Sequence, residues 1–145
     1  MTIKKYVRTI LAVTALCCLP FSAISATSVK DVWVSMPDSI APYLNQKLRL
    51  ECADLYEMGA KAEVQYLLKG TSKIDTLSAN YLQAQLSDAC QLQLCILPRT
   101  EGDSLICMIK TFAGPEKESS VQMYSMQWQL LQTMSFSFDT FVQKP

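Results

Sequence analysis

Residues 82–97 read Leu-Gln-Ala-Gln-Leu-Ser-Asp-Ala-Cys-Gln-Leu-Gln-Leu-Cys-Ile-Leu, and apolar side chains alternate with glutamine in two runs. Because successive side chains of a strand point to opposite faces, this period of two predicts two half-buried β-strands. Similar apolar or alternating runs predict further strands at 74–77, 105–111, 121–124 and 134–138. The connections are short and contain no helical crossover, so the sequence predicts an antiparallel meander.

Upstream of the strands the apolar period changes to three and four, which is typical of a helix. Residues 44–68 carry this pattern, with an apolar stripe that contains Leu44, Leu48, Cys52, Leu55 and Tyr56. The charged residues Lys47, Arg49, Glu51, Asp54 and Glu57 are expected on the solvated side.

The ends of this helical block have their own signals. Asp38 or Ser39 is the expected N-cap, Gly59 is expected to divide the block into two helices, and Gly70 to end it. Before the block, Val32, Trp33 and Val34 predict a short strand. The helical segment would cover the apolar face of the meander, so the predicted fold class is α+β with two layers.

The N terminus has the three parts of a cleavable signal peptide. Lys4, Lys5 and Arg8 precede a mostly apolar run at 10–21, and small residues at 22–26 offer cleavage after Ser25 or Ala26. The apolar run is too short for a membrane span, and Leu16 before Cys17 is a poor lipoprotein signal. We therefore expect a signal peptide at 1–26, a single domain at 27–145, no transmembrane span after cleavage, and export to the periplasm or cell surface of a Gram-negative bacterium.

Composition excludes several kinds of chemistry. The chain has no histidine, which removes Ser-His-Asp and Cys-His catalysis and the usual catalytic zinc sites. The four glycines lie too far apart for a phosphate-binding loop. Thirteen basic residues balance thirteen acidic ones, and three of the basic residues fall within 1–26, so the mature chain is mildly acidic without a basic stripe. The sequence predicts no catalytic residue, metal ligand, cofactor or nucleic-acid partner.

Four cysteines remain after residue 26: Cys52, Cys90, Cys95 and Cys107. A hairpin folded about Glu101 would place Cys95 opposite Cys107, and at a non-hydrogen-bonded pair they could form a disulfide. Two buried free thiols are the alternative. Cys52 lies on the apolar helical stripe and is expected in the core.

Several short motifs follow one another along the chain: Met36-Pro37-Asp38-Ser39-Ile40, Pro42-Tyr43-Leu44, Arg49-Leu50, Lys61-Ala62-Glu63-Val64, Thr76-Leu77, Tyr81-Leu82, Ile106-Cys107-Met108, Lys110-Thr111, Gly114-Pro115-Glu116 and Trp128-Gln129. In this order they resemble a family of exported Bacteroidales proteins of unknown function. The resemblance implies export and one α+β domain, a helical segment followed by a β-meander, and no known activity. Family members extend well beyond the position of Trp128, so the resemblance implies either a member that is short at its C terminus or a chain that lacks a C-terminal part.

The leading functional hypothesis is a non-catalytic periplasmic or surface-associated binding or assembly module for an envelope protein or a glycan. A meander has edge strands that can accept a partner strand. Trp33, Tyr124, Trp128 and the group Phe136, Phe138 and Phe141 are candidate partner contacts, although ordinary core packing also explains them.

Two alternatives belong to other classes. A histidine-independent hydrolase would use paired carboxylates from Asp38, Glu51, Asp54, Glu57 and Asp75. A carrier would hold an apolar ligand between helix and sheet, and the seven methionines of the chain are compatible with such a site.

Overall fold

The computed structural model describes residues 27–66, 68–100 and 102–137. The segment 1–26, Glu101 at the predicted hairpin apex, and Phe138 and Phe141 lie outside these residues. The described elements are α1 (Val29–Ser35), α2 (Gln46–Glu57), β1 (Glu63–Gln65), β2 (Thr71–Leu77), β3 (Tyr81–Ser87), β4 (Cys90–Pro98), β5 (Ser104–Phe112), β6 (Glu118–Ser125) and β7 (Leu130–Ser137).

The seven strands form one sheet in the order β1 to β7, and every neighbouring pair is antiparallel. Both helices pack on the same face, and the core lies between the helices and strands β1 to β6. The strand residues in that core alternate along the chain, as the period of two requires: Val64, Ile74, Leu82, Ala84, Leu92, Leu94, Ile96, Ile106, Met108 and Tyr124. The predicted two-layer α+β fold and the meander are confirmed.

The first element is a helix, so the strand predicted at 32–34 is wrong. Ser28 and Asp31 form a capping box, in which each side chain bonds the other residue's backbone amide. Val29, Val32 and Trp33 then fall on one face at a spacing of three and four, and all three are buried. A three-residue apolar run fits either structure, and here the cap in front of it selects the helix.

The second helix is shorter than the predicted block. Its N-cap is Asn45, whose side chain accepts from the Leu48 amide, and not Asp38 or Ser39. After Glu57 the chain turns through Gly59, which has φ of 69°. The expected second helix is instead strand β1, where Val64 is buried between two less buried neighbours and pairs with Ser72 of β2.

Arg49 was expected on the solvated side of the helix, but its side chain is 1% exposed. The guanidinium donates to backbone carbonyls in the last turn of α1, just after α1 and just before α2. Its Nε reaches the Trp33 oxygen at 3.0 Å, Nη1 reaches the Leu44 oxygen at 2.6 Å, and Nη2 bonds the Met36 oxygen. In return, the indole Nε1 of Trp33 donates to the Arg49 carbonyl at 2.9 Å.

These bonds fix the irregular segment 36–44, which connects the two helices across the end of the sheet. Because the Arg49 side chain is buried, water does not solvate its charge. The carbonyl oxygens accept its hydrogen bonds instead. Arg49 therefore positions the segment that covers the pocket described below.

Candidate functional site

Of the candidate partner-contact aromatics, Trp33, Tyr124 and Trp128 pack in or against the core on the helix side of the sheet. Trp33 is fully buried in the core and is closed to a partner. Tyr124 is 7% exposed, and its ring centroid lies 5.1 Å from that of Trp128. Trp128 is partly exposed and donates from its indole Nε1 to the Ser35 hydroxyl at 3.2 Å. These rings mainly close the end of the core near α1.

Cys95 and Cys107 are directly opposite each other, in the register expected from the sequence. A disulfide was expected if the two cysteines formed a non-hydrogen-bonded pair, but in the structure they form a hydrogen-bonded pair. Because the Ala113 amide donates to the Ala89 oxygen, odd-numbered residues form the hydrogen-bonded pairs between β4 and β5. Side chains at such pairs are farther apart than at the alternate positions, which makes a disulfide harder to close. Both thiols are free and half-buried on the sheet face away from the helices.

Four of the five candidate carboxylates form ion pairs with neighbouring cations. Asp54 and Glu57 both contact the Lys30 ammonium, at 2.8 Å and 2.7 Å. Asp38 bonds Arg49 at 2.9 Å, and Asp75 contacts the Lys73 ammonium at 3.1 Å. In the described part of the chain, no group of three or more acidic, cysteine or histidine residues could hold a metal ion.

A pocket of about 440 Å³ opens between the sheet and the segment that Arg49 holds. Its floor is the helix-side face at the ends of β3, β4 and β5, with Leu86, Cys90 and Phe112. Its roof is residues 40–44, and its side wall includes Tyr66 and Leu68. The walls are mostly apolar, and among the residues that the structure describes no carboxylate lines them.

Two local features shape the side wall. The rings of Tyr43 and Tyr66 lie 6.1 Å apart between centroids. The Tyr66 ring lies against Gly70, where a Cβ would overlap it. The missing side chain at Gly70 thus leaves room for the ring at the pocket wall.

Within 27–66, 68–100 and 102–137, one charged residue lines the pocket: Lys110, on the helix-side face of β5. Its ammonium donates to the Ile40 carbonyl at 2.6 Å. Burial lowers the pKa of Lys110, because the charged form loses water of hydration. Burial likewise raises the pKa of the nearby Cys90 thiol, which is therefore neutral at pH 7 and leaves the lysine charge uncompensated.

The opposite face of the sheet carries apolar side chains where no helix covers it. Ile106 and Met108 point to the helices, so Cys107 and Ile109 point away. Cross-strand pairing extends this surface from β5 through β6 to β7. We call it the outer apolar block; it comprises Cys107, Ile109, Val121, Met123 and Met134. All five side chains are half-buried or exposed.

The two edges of the sheet differ. β1 has only three residues and carries the Lys61–Glu63 ion pair, whose nitrogen and oxygen lie 2.8 Å apart. β7 has eight residues, Leu-Leu-Gln-Thr-Met-Ser-Phe-Ser, and no charge. Leu130 and Leu131 are more than half exposed. Charges, prolines and short length are the features that normally block edge-to-edge pairing, and β7 has none of them.

The ladder shows which backbone groups of β7 face outward. The Ser125 amide donates to the Gln129 oxygen at 2.9 Å, so odd-numbered residues of β6 bond toward β7. In the register of β6 with β7, the even-numbered residues of β7 therefore form their backbone hydrogen bonds with β6. The amides of Thr133 and Ser135 therefore point to the open edge, where no described strand pairs with them.

A family model described as protein of unknown function DUF3256 matches residues 21–144 of the sequence. The chain belongs to the DUF3256 family. A search of curated proteins found no match. Among solved structures, a domain of an uncharacterized protein from Porphyromonas gingivalis W83 is similar, with a TM-score of 0.61 and 24% identity over 83% of this chain and 59% of that one.

The likeness to the Porphyromonas gingivalis domain concerns the fold. This DUF3256 chain spans about three fifths of the length of that neighbour. No described helix of the DUF3256 chain is long and apolar enough to cross a membrane.

The position and lining of this pocket were not predicted from the sequence, because its walls come from four separate parts of the chain. One signal was present. Lys110 occupies an inward position of an otherwise apolar strand, and long charged residues are rare at such positions unless they are paired. The open edge was anticipated only in general terms, as a property of any meander.

Proposed function

We propose that this DUF3256 protein is an exported, non-catalytic module that recruits an envelope protein by strand addition at β7. The observation that carries the proposal is the long, uncharged edge of β7, with the outer apolar block beside it. Strand addition supplies main-chain hydrogen bonds, while side chains at alternate positions supply specificity.

The partner is a protein segment in extended conformation, uncharged and apolar at alternate positions. On one sheet face it would meet Met134, and on the other Leu131, which is 54% exposed. A glycan is less suitable. Among Trp33, Tyr124 and Trp128, only Trp128 is appreciably exposed, and Tyr124 and Ser35 already contact it.

Export and a Bacteroidales source belong to this proposal. The support for export is the basic, apolar and small-residue order of 1–26. A Porphyromonas gingivalis domain with the same fold is consistent with the proposed source.

The experiment places a photo-crosslinking residue at Ser135, and in a control protein at Gln65 of the β1 edge, in cells that express the protein. Irradiation is expected to yield a discrete heteromeric product from position 135 and none from position 65. A product of twice the chain mass would show self-pairing and would refute the envelope partner. The absence of any product would refute the edge as a docking site.

A matched pair of variants tests the mechanism. Thr133→Pro removes an outward amide without breaking a bond to β6, whereas Thr133→Ala keeps that amide. We expect the crosslink from position 135 to disappear with proline and persist with alanine. A crosslink that survives Thr133→Pro would contradict strand addition. Circular dichroism of both variants checks that the sheet is intact.

A further inference from the structure

The pocket beneath residues 40–44 combines an apolar interior with one unbalanced positive charge. Lys110 has three N–H donors, and one of them reaches the Ile40 oxygen at 2.6 Å. Each of the ion pairs in the described residues involves another cation, namely Lys30, Arg49, Lys61 or Lys73. Two donors of Lys110 thus remain for a further acceptor.

The mouth of this pocket is unusually apolar for a surface. Tyr43, Leu68 and Phe112 are 55%, 65% and 46% exposed, and all three line the opening. Apolar side chains grouped around a concavity are typical of small-molecule sites. The volume of about 440 Å³ also falls in the usual range for such sites.

We propose that this pocket binds a monocarboxylate with an unbranched or aromatic apolar body. The carboxylate accepts hydrogen bonds from Lys110, and the apolar body lies between Leu86 on the floor and Tyr43 and Leu68 at the mouth. Charge complementarity selects this class of ligand. A carboxylate balances the charge of the half-buried Lys110 ammonium, whereas a neutral head group leaves that charge unbalanced and a cationic head group is repelled by it.

This site is independent of the β7 edge. Lys110 lies on the helix-side face of β5, whereas the outer apolar block lies on the other face. The carboxylate site can therefore fail its test while strand addition passes, and the reverse also holds.

The test measures binding of three probes of equal chain length, decanoate, decanol and decylammonium, to the purified protein by titration calorimetry. We expect decanoate to bind at least about tenfold more tightly than decanol, which corresponds to one charge-assisted contact. Decylammonium is expected not to bind. Equal affinities for decanoate and decanol, or no binding of decanoate, would overturn the proposal.

Variants identify the contact. Lys110→Met should weaken decanoate at least about tenfold and leave decanol unchanged. Lys61→Met is the matched control, since it removes one exposed lysine charge that does not line the pocket and should alter neither affinity. Leu68→Asp should weaken both probes. Thermal melts followed by circular dichroism verify folding, and a folded Lys110→Met variant with full affinity for decanoate would refute the role of Lys110.

Discussion

Replacing Arg49 by methionine should strongly destabilise the protein, even though the residue belongs to no site. The change removes the donors that satisfy three buried carbonyls, those of Trp33, Met36 and Leu44. Each buried acceptor left unpaired costs about 1–3 kcal/mol. Methionine offsets part of this cost, because it removes a buried charge and fills the same space. We therefore expect the free energy of unfolding to fall by about 3–5 kcal/mol.

The ion pair with Asp38 contributes little by comparison. The Asp38 side chain is 58% exposed, and exposed pairs contribute at most about 1 kcal/mol. Asp38→Ala is therefore the matched control, because it removes the salt bridge and keeps every carbonyl bond. The two variants separate the backbone contacts from the charge pair.

The assay is equilibrium urea unfolding, followed by tryptophan fluorescence, since Trp33 lies next to the substituted side chain. Linear extrapolation gives the free energy of unfolding of each variant. The reasoning is refuted if Arg49→Met loses less than about 1 kcal/mol, or if Asp38→Ala loses as much as Arg49→Met.

Three further predictions concern the cysteines. Burial raises the pKa of Cys52 to about 11, so this thiol should resist alkylation in the folded protein at pH 8 and react after unfolding, as mass spectrometry of the labelled peptides would show. Because the folded state keeps a proton that the unfolded state releases, stability should fall as pH rises from the ordinary value of 9.0 toward about 11; a Cys52→Ala variant that falls equally would contradict this. Cys95 and Cys107 should both accept iodoacetamide in protein purified without reductant, because their hydrogen-bonded pairing disfavours a bridge. A peptide mass lower by two hydrogens, restored by reduction, would show a disulfide instead.

The sheet was predictable because its signal is local and repeated. Alternation along 82–97 selects one face of each strand, and a shift of one residue would expose that face, so even the pairing of Cys95 with Cys107 followed from the sequence. Short apolar runs do not have this redundancy. Residues 32–34 and 63–65 each fit a helix or a strand, and the capping box at Ser28 and the pairing of Val64 with Ser72 decided the outcome.

The candidate site was harder to predict, for a physical reason. A charged residue on an amphipathic helix is ordinarily solvated, and nothing near Arg49 in sequence shows that carbonyls around residues 33–36 converge on it. The environment of Lys110 likewise depends on Ile40, seventy positions away. When distant chain segments bury a residue, the sequence around that residue shows no periodic pattern that would predict the burial.

The unequal edges of the sheet limit how the protein could assemble. Head-to-tail growth into a fibre would require β7 of one molecule to pair with β1 of the next, which makes a heterologous contact that repeats without closing. The three-residue β1 strand with its Lys61–Glu63 ion pair is a poor acceptor for an eight-residue strand. A protein that accepted a partner strand at β7 alone would end a shared sheet instead of extending it, and its complexes would then have a fixed stoichiometry.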